Sequence, residues 1–232
     1  MLKQIAIYTR YFFYAKYRNI LTVIMQIIAP VSLMIFANNE GTLDGYIRFI
    51  TYFSSMAALF GVIEFLVIRK EKYLIQYHTI VKSPLVFLFS KINIELFILF
   101  QIQVIYFLFI KCTDTHNLIT FNNWLIVLIS SVIITIIITF YLSFLITLEI
   151  GPSKIDSIRN FGSIIIFIIS FSGESLPKML MQLNPINQIN HFVSLNATKL
   201  QFDINIYMIM MIIIGVIIFI YSIYNVKVEI KE

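Results

Sequence analysis

The chain has 232 residues, 59% hydrophobic and only 12% charged, with a mean hydropathy of +0.90 and a net charge of +5. A soluble domain carries about 25% charged residues, so this composition excludes an ordinary water-soluble fold and makes lipid the solvent. The single cysteine, Cys112, excludes an internal disulfide and a thiolate metal site. The basic balance reads as a membrane-orientation signal, not as a nucleic-acid surface.

Residues 1–18 interleave Lys3, Arg10, Lys16 and Arg18 with Leu2, Ile5, Phe12 and Phe13. That mixture predicts an amphipathic helix in the headgroup layer; the alternative is a basic flank that only sets orientation. It lacks the compact apolar core of a cleaved signal peptide. Apolar runs of about 20 residues mark spanning helices, and six are found, near 20–37, 46–68, 84–110, 124–148, 158–171 and 204–224. Continuous runs argue against a barrel, whose strands alternate. The predicted class is an all-α polytopic membrane protein, one domain over 1–232 with six transmembrane helices.

Six spans with both termini inside put 13 of the 17 Lys and Arg residues in the cytoplasm and leave Arg48, Lys111, Lys178 and Lys199 outside. Positive-inside bias favours that topology. The longest cytoplasmic connection, 69–83, places Leu74, Tyr77 and Ile80/Val81 at helical spacing before Ser83-Pro84. It predicts a short amphipathic helix along the membrane, with a structured turn as the alternative. The fifth run is short. It leads into 172–200, which is too polar to cross as one helix and too apolar for a solvated loop. Broken by Pro177 and Asn184-Pro185, this stretch predicts a re-entrant helical hairpin at the outer surface. Such backbone is tolerated at membrane depth only under protein or a wet cavity.

No phosphate-binding Gly-Lys-Ser/Thr loop occurs, so ATP hydrolysis is not expected on this chain. His78, His116 and His191 fall in separate connections, with no metal-binding pair and no nucleophile elbow; an enzyme is not expected. Two carboxylates, Glu64 and Glu95, lie inside apolar spans, where an ionisable group is a functional candidate. Arg69 and Lys91 stand five and four residues away along the same spans. Pairing with those cations or with a wet inner vestibule is the competing reading. The fourth span carries Ser131, Thr135, Thr139, Ser143 and Thr147 at every fourth residue, and the second a face of Ser54, Ser55, Ala57, Ala58 and Gly61. Small residues at such spacing suit close helix packing; lining a polar path is the alternative for the fourth span, and the second span's face suits a seam between subunits or the slim wall of a conduit. Gln101 and Gln103 point to different sides of the third span, and at least one is expected to find a buried partner. The sequon Asn196-Ala-Thr198 is read as coincidence.

In order, an amphipathic first helix, six spans, a cytoplasmic segment between spans two and three and a hairpin before span six resemble the permease subunits of type-2 ABC exporters. Two local patterns carry the resemblance. One is Arg69-Lys-Glu-Lys-Tyr-Leu-Ile-Gln-Tyr with Ser83-Pro84 and Phe89-Ser-Lys91. The other is Gly173…Leu176-Pro177…Leu183-Asn-Pro185-Ile…His191-Phe. The chain departs from the family at Lys72-Tyr73, where Gly-Thr is usual. The resemblance implies a half-transporter in a bacterial cell membrane: two permease chains, identical or homologous, above two ATP-binding subunits that hold ATP and Mg. It implies coupling contacts at Glu71, Tyr73, Leu74, Tyr77 and His78, helped by Tyr8 and Arg10, and an outer cap around Pro177, Asn184 and Pro185. Phe- and Ile-rich spans suit a hydrophobic or amphipathic cargo. The chain is similar in character to exporters of phenol-soluble modulins and antimicrobial peptides. An immunity permease clearing such peptides from the membrane, and a non-transporting scaffold, are the alternatives.

Overall fold

The computed structural model describes residues 2–37, 42–70, 84–112, 119–148, 150–171, 185–199 and 206–226. Among these it contains eight α-helices and no strand: α1 Leu2–Tyr17, α2 Ile20–Ala37, α3 Leu43–Lys70, α4 Leu85–Cys112, α5 Phe121–Leu142, α6 Pro152–Phe171, α7 Pro185–Lys199 and α8 Ile206–Tyr224. A 3₁₀ turn, Ser143–Thr147, continues α5. Four are long and apolar enough to cross a membrane: α2, α3, α4, and α5 with its 3₁₀ turn. At 1.5 Å per residue the 28 residues of α3 reach about 42 Å, beyond the ~30 Å hydrocarbon thickness.

The surface is apolar, unlike that of a soluble protein, and several polar side chains lie inside the largely apolar core. Ser54, Ser55, Gln103, Ser131, Thr135, Thr139 and Ser143 are buried, while Ile164, Phe167 and Ile168 of α6 and Ile213, Ile217 and Ile220 of α8 are exposed. Large contiguous apolar surfaces are rare on soluble monomers. With four helices long and apolar enough to cross a membrane, they mark an all-α membrane-embedded protein.

The helix boundaries follow local chemistry. The Asn19 side chain accepts from the Thr22 N–H (3.4 Å), the Thr42 hydroxyl from the Gly45 N–H (3.2 Å) and the Thr120 hydroxyl from the Asn123 N–H (3.2 Å). Each fills one of the donors left open at a helix start. Proline opens α6 and α7, as suits a position whose N–H has no helical partner. The apolar run expected at 158–171 is thus only the later part of a 20-residue helix. Lys154, Asp156 and Arg159 occupy its first turns and hide its true start.

α3 is the hub, with 72% of its most apolar stretch buried against 17% for α2. It packs against α4, α5, α6 and α7. Two glycines allow the closest approaches. A Cβ on Gly61 would stand 2.8 Å from Ile92 Cγ1 of α4, and one on Gly162 of α6 would stand 3.0 Å from Leu59 Cδ2 of α3. α8 packs on α5 through the stacked Phe140 and Phe219 rings, 4.5 Å apart, and the Tyr141 hydroxyl donates to the Met211 carbonyl (3.0 Å).

The bundle has two unlike ends. At one lie the end of α3, the starts of α4 and α6, and the junction of α1 with α2; it carries Lys16, Arg69, Lys91 and Arg159. At the other, the start of α3 meets α7, where the Ser194 hydroxyl donates to Asp44 Oδ1 (3.3 Å). α7 turns Ile186, Ile189, Phe192, Val193 and Ala197 inward at helical spacing. Its 15 residues reach only about 22 Å.

Candidate functional site

At the basic end α1 lies along the first half of α4. Its inward stripe is aromatic: Tyr8 meets Phe87 edge-on at 4.8 Å, Phe13 meets Phe97 at 5.3 Å, and Phe13 stacks on Tyr17 at 4.1 Å. Polar ties reinforce it. The Ser90 hydroxyl donates to the Ile5 carbonyl (3.2 Å), and the Tyr17 hydroxyl donates to Gln101 Oε1 (2.7 Å). Burial raises the Tyr17 phenol above its ordinary value, which keeps it a donor. Lys16, in the last turn of α1, forms an ion pair with Glu95 of α4.

Glu95 is 8% exposed, so its charged form is disfavoured there without a paired cation. Glu64 of α3 is more open and accepts from Lys91 Nζ at 3.0 Å. Lys91 Nζ also sits 4.2 Å from the centre of the Phe12 ring. The two carboxylates therefore do pair with lysines, but across helices. The intra-helical partners expected for them are corrected: Lys91 serves Glu64, not Glu95, and Arg69 serves neither. A Lys placed four residues before a Glu is the less favourable order along a helix, and the close α3–α4 contact at Gly61 brings Glu64 to Lys91.

Arg69 is 2% exposed and grips the end of α5. Its Nη1 donates to the Ile146 carbonyl (2.6 Å) and its Nη2 to the Leu148 carbonyl (2.7 Å). Carbonyls at a helix end have no helical partner and favour a cation, so the guanidinium straps α3 to the 3₁₀ turn.

The two carboxylates face a cavity of about 250 Å³ lined by Lys16, Gln26, Phe60, Ile63, Glu64, Glu95 and Arg159. Arg159 is also paired with Asp156 (3.2 Å). A smaller apolar cavity of about 80 Å³ adjoins it, between Pro30, Phe53, Met56, Ala57, Ile98, Leu99 and Ile102. Gln26, Phe60 and Glu95 line both. Gln26 Oε1 is buried and has no hydrogen-bond partner among the described residues.

The structure separates the remaining candidates into two groups. Ser54, Ala58, Gly61, Thr135 and Thr139 are in helix contacts and do not line either cavity. The Thr135 hydroxyl donates to the Ser54 carbonyl (3.3 Å) and the Ser131 carbonyl (2.8 Å), and Thr139 donates to the Thr135 carbonyl (2.7 Å). Packing is the reading these contacts favour. Gln103 is fully buried, donating to Ser131 Oγ (2.9 Å), whereas Gln101 meets α1. Tyr8 is committed to packing on α4, while Arg10 is exposed, 5.7 Å over the Tyr14 ring. Glu71, Tyr73, Leu74, Tyr77 and His78 lie outside the described residues, as do Pro177 and Asn184; Pro185 is the first residue of α7. Of the segment 172–200 expected to form a hairpin, only 185–199 falls within the described residues.

Lys16, Gln26 and Arg159 were not singled out as site residues by sequence reasoning. Gln26 had a signal, as the sole side-chain amide in the apolar run of α2. Lys16 and Arg159 had none beyond charge, because their roles depend on how α1 and α6 dock. Among the described residues no group of three or more His, Cys, Asp or Glu could hold a metal ion. No protein-family model, no curated protein and no solved structure matches this chain.

Proposed function

We propose that the chain is the permease subunit of an ATP-driven type-2 ABC exporter. In this reading six helices cross a bacterial cell membrane, with α6 and α8 as the fifth and sixth spans and both termini cytoplasmic. Segment 172–200 re-enters from outside. A second permease chain completes the pathway, and ATP-binding subunits dock beneath on 69–83 and the exposed face of α1. The cargo is a hydrophobic or amphipathic peptide or drug.

The observation that carries this reading is how the two ends of the 69–83 connection are anchored. On one side Arg69 straps α3 to the end of α5. On the other, α4 begins under α1, held by the Tyr8–Phe87 contact and the Lys16–Glu95 pair. A push on the connection therefore acts on α1, α3, α4 and α5 together, which is what a coupling segment requires. The short α7 beside the far end of α3 fits a limb that stops within the outer leaflet.

The test is purification of the tagged full chain from its native membranes in mild detergent, with every co-purifying protein identified. A stoichiometric ATP-binding subunit is expected, and Glu71→Lys should release it while the chain still inserts. Recovery of the chain alone, or with partners that hydrolyse no nucleotide, would refute the export reading.

A further inference from the structure

The two adjoining cavities differ in chemistry and share a wall. The larger is charged and the smaller is apolar, and they meet at Gln26, Phe60 and Glu95. Three oxygen acceptors lining these cavities are unused among the described residues. Gln26 Oε1 is buried without a partner. Glu64 uses Oε2 on Lys91 and Glu95 uses Oε1 on Lys16, which leaves the second oxygen of each carboxylate unused. An ionised carboxylate accepts through both oxygens, and a primary ammonium offers three N–H donors. An anionic head would instead meet two carboxylates, and both cations of the lining are already engaged, Lys16 by Glu95 and Arg159 by Asp156. About 250 Å³ of polar space is several times the ~30 Å³ share of one water, enough for a partly hydrated head.

We propose that these cavities form one site for an amphiphile with a primary-ammonium head and an apolar chain. The head sits among Gln26, Glu64 and Glu95, and the first part of the chain enters the slot between Met56, Ala57 and Ile98. Ala57 keeps the slot open, since a larger side chain there would fill it. The site lies within a single chain, so it does not depend on the export reading or on a nucleotide-binding partner.

The test uses the full chain in phosphatidylcholine nanodiscs and a dodecylammonium probe carrying a diazirine in its chain. After photolysis, adducts are mapped by peptide mass spectrometry, with labelling at Met56 normalised to Ile213 on the exposed face of α8. Dodecylamine should compete and dodecyl sulfate should not. Gln26→Leu and Glu64→Gln should each lower normalised labelling about tenfold, the effect of losing one charge-assisted hydrogen bond. Ala57→Phe should abolish it, and each variant's thermal unfolding checks that the fold survives. Equal labelling of Met56 and Ile213, no response to the three variants, or equal competition by dodecyl sulfate would overturn the site. Exchanging half the lipid for phosphatidylethanolamine distinguishes the two sources and supports the site in both cases. Loss of labelling identifies a resident lipid amine, and retained labelling identifies an amphiphile arriving from elsewhere.

Discussion

Arg69→Met tests whether the strap between α3 and α5 holds the basic end. The substitution keeps most of the side-chain volume and removes two charge-assisted hydrogen bonds, at 2.6 Å to Ile146 and 2.7 Å to Leu148. A buried acceptor left without its donor costs about 1–3 kcal/mol. Ile146 is 1% exposed and bears the full penalty, whereas Leu148 is exposed and its carbonyl regains water. The expected loss is therefore about 2–4 kcal/mol. Arg69→Lys keeps a charge but not the planar fork that serves two carbonyls at once, so about half that loss is expected. Equilibrium unfolding in mixed micelles gives the magnitude. Hydrogen exchange at the amides of 143–148 gives the location, with faster exchange expected there than at the far end of α5. A loss below about 0.5 kcal/mol for Arg69→Met, or exchange that rises equally along α5, would refute the strap.

Lys16→Gln should destabilise the chain by about 3–5 kcal/mol by leaving Glu95 buried without its cation, and Lys16→Gln with Glu95→Gln should recover most of this; a double-mutant cycle in the same unfolding assay measures the coupling. Gly61→Ala should cost about 1–3 kcal/mol from overpacking against Ile92 Cγ1, and it should cost less in a chain that already carries Ile92→Ala, which removes that carbon. Thr135→Val should change stability by only about 0.6 kcal/mol, the usual scale for a polar contact between membrane helices; a large loss would mean that its hydroxyl does more than pack. Expression in a glycosylating host should leave Asn196 unmodified, with no glycosidase-sensitive mass shift. Its side chain is 1% exposed and donates to the Phe192 carbonyl at 2.7 Å.

The long apolar helices α2 to α5 were legible because an apolar run of about 20 residues has few other outcomes. The start of α6 was not, since charges on its first turns mimic a loop. The Thr135–Thr139 row was legible as a packing seam because small residues let backbones approach. The partners of Glu64 and Glu95 were not legible. Sequence spacing reports neighbours along one helix, whereas these pairs depend on how α1, α3 and α4 are rotated against one another. Arg69 shows the same limit. Near a carboxylate in sequence, it is drawn to a helix end that lies 77 residues away in the chain.

The position of α1 and access to the charged cavity are physically linked. α1 supplies Lys16 to a carboxylate that is almost fully buried, and its aromatic stripe covers the start of α4. Lifting α1 would expose Phe12 and strip Glu95 of its cation together. Burial of Phe12 stabilises the docked helix by about 1.5–3 kcal/mol, and breaking a buried ion pair by removing one partner costs about 3–5 kcal/mol. The second quantity is the larger, but water entering the cavity lowers it by resolvating Glu95, while the aromatic contacts remain. Hydration at the basic end is thus the variable that decides how firmly α1 is held. Lys16→Gln with Glu95→Gln, which removes both charges, should make α1 docking insensitive to cavity hydration, read as equal protection of residues 2–17 in hydrogen exchange with and without a filling Ile63→Phe substitution in the wall of the charged cavity.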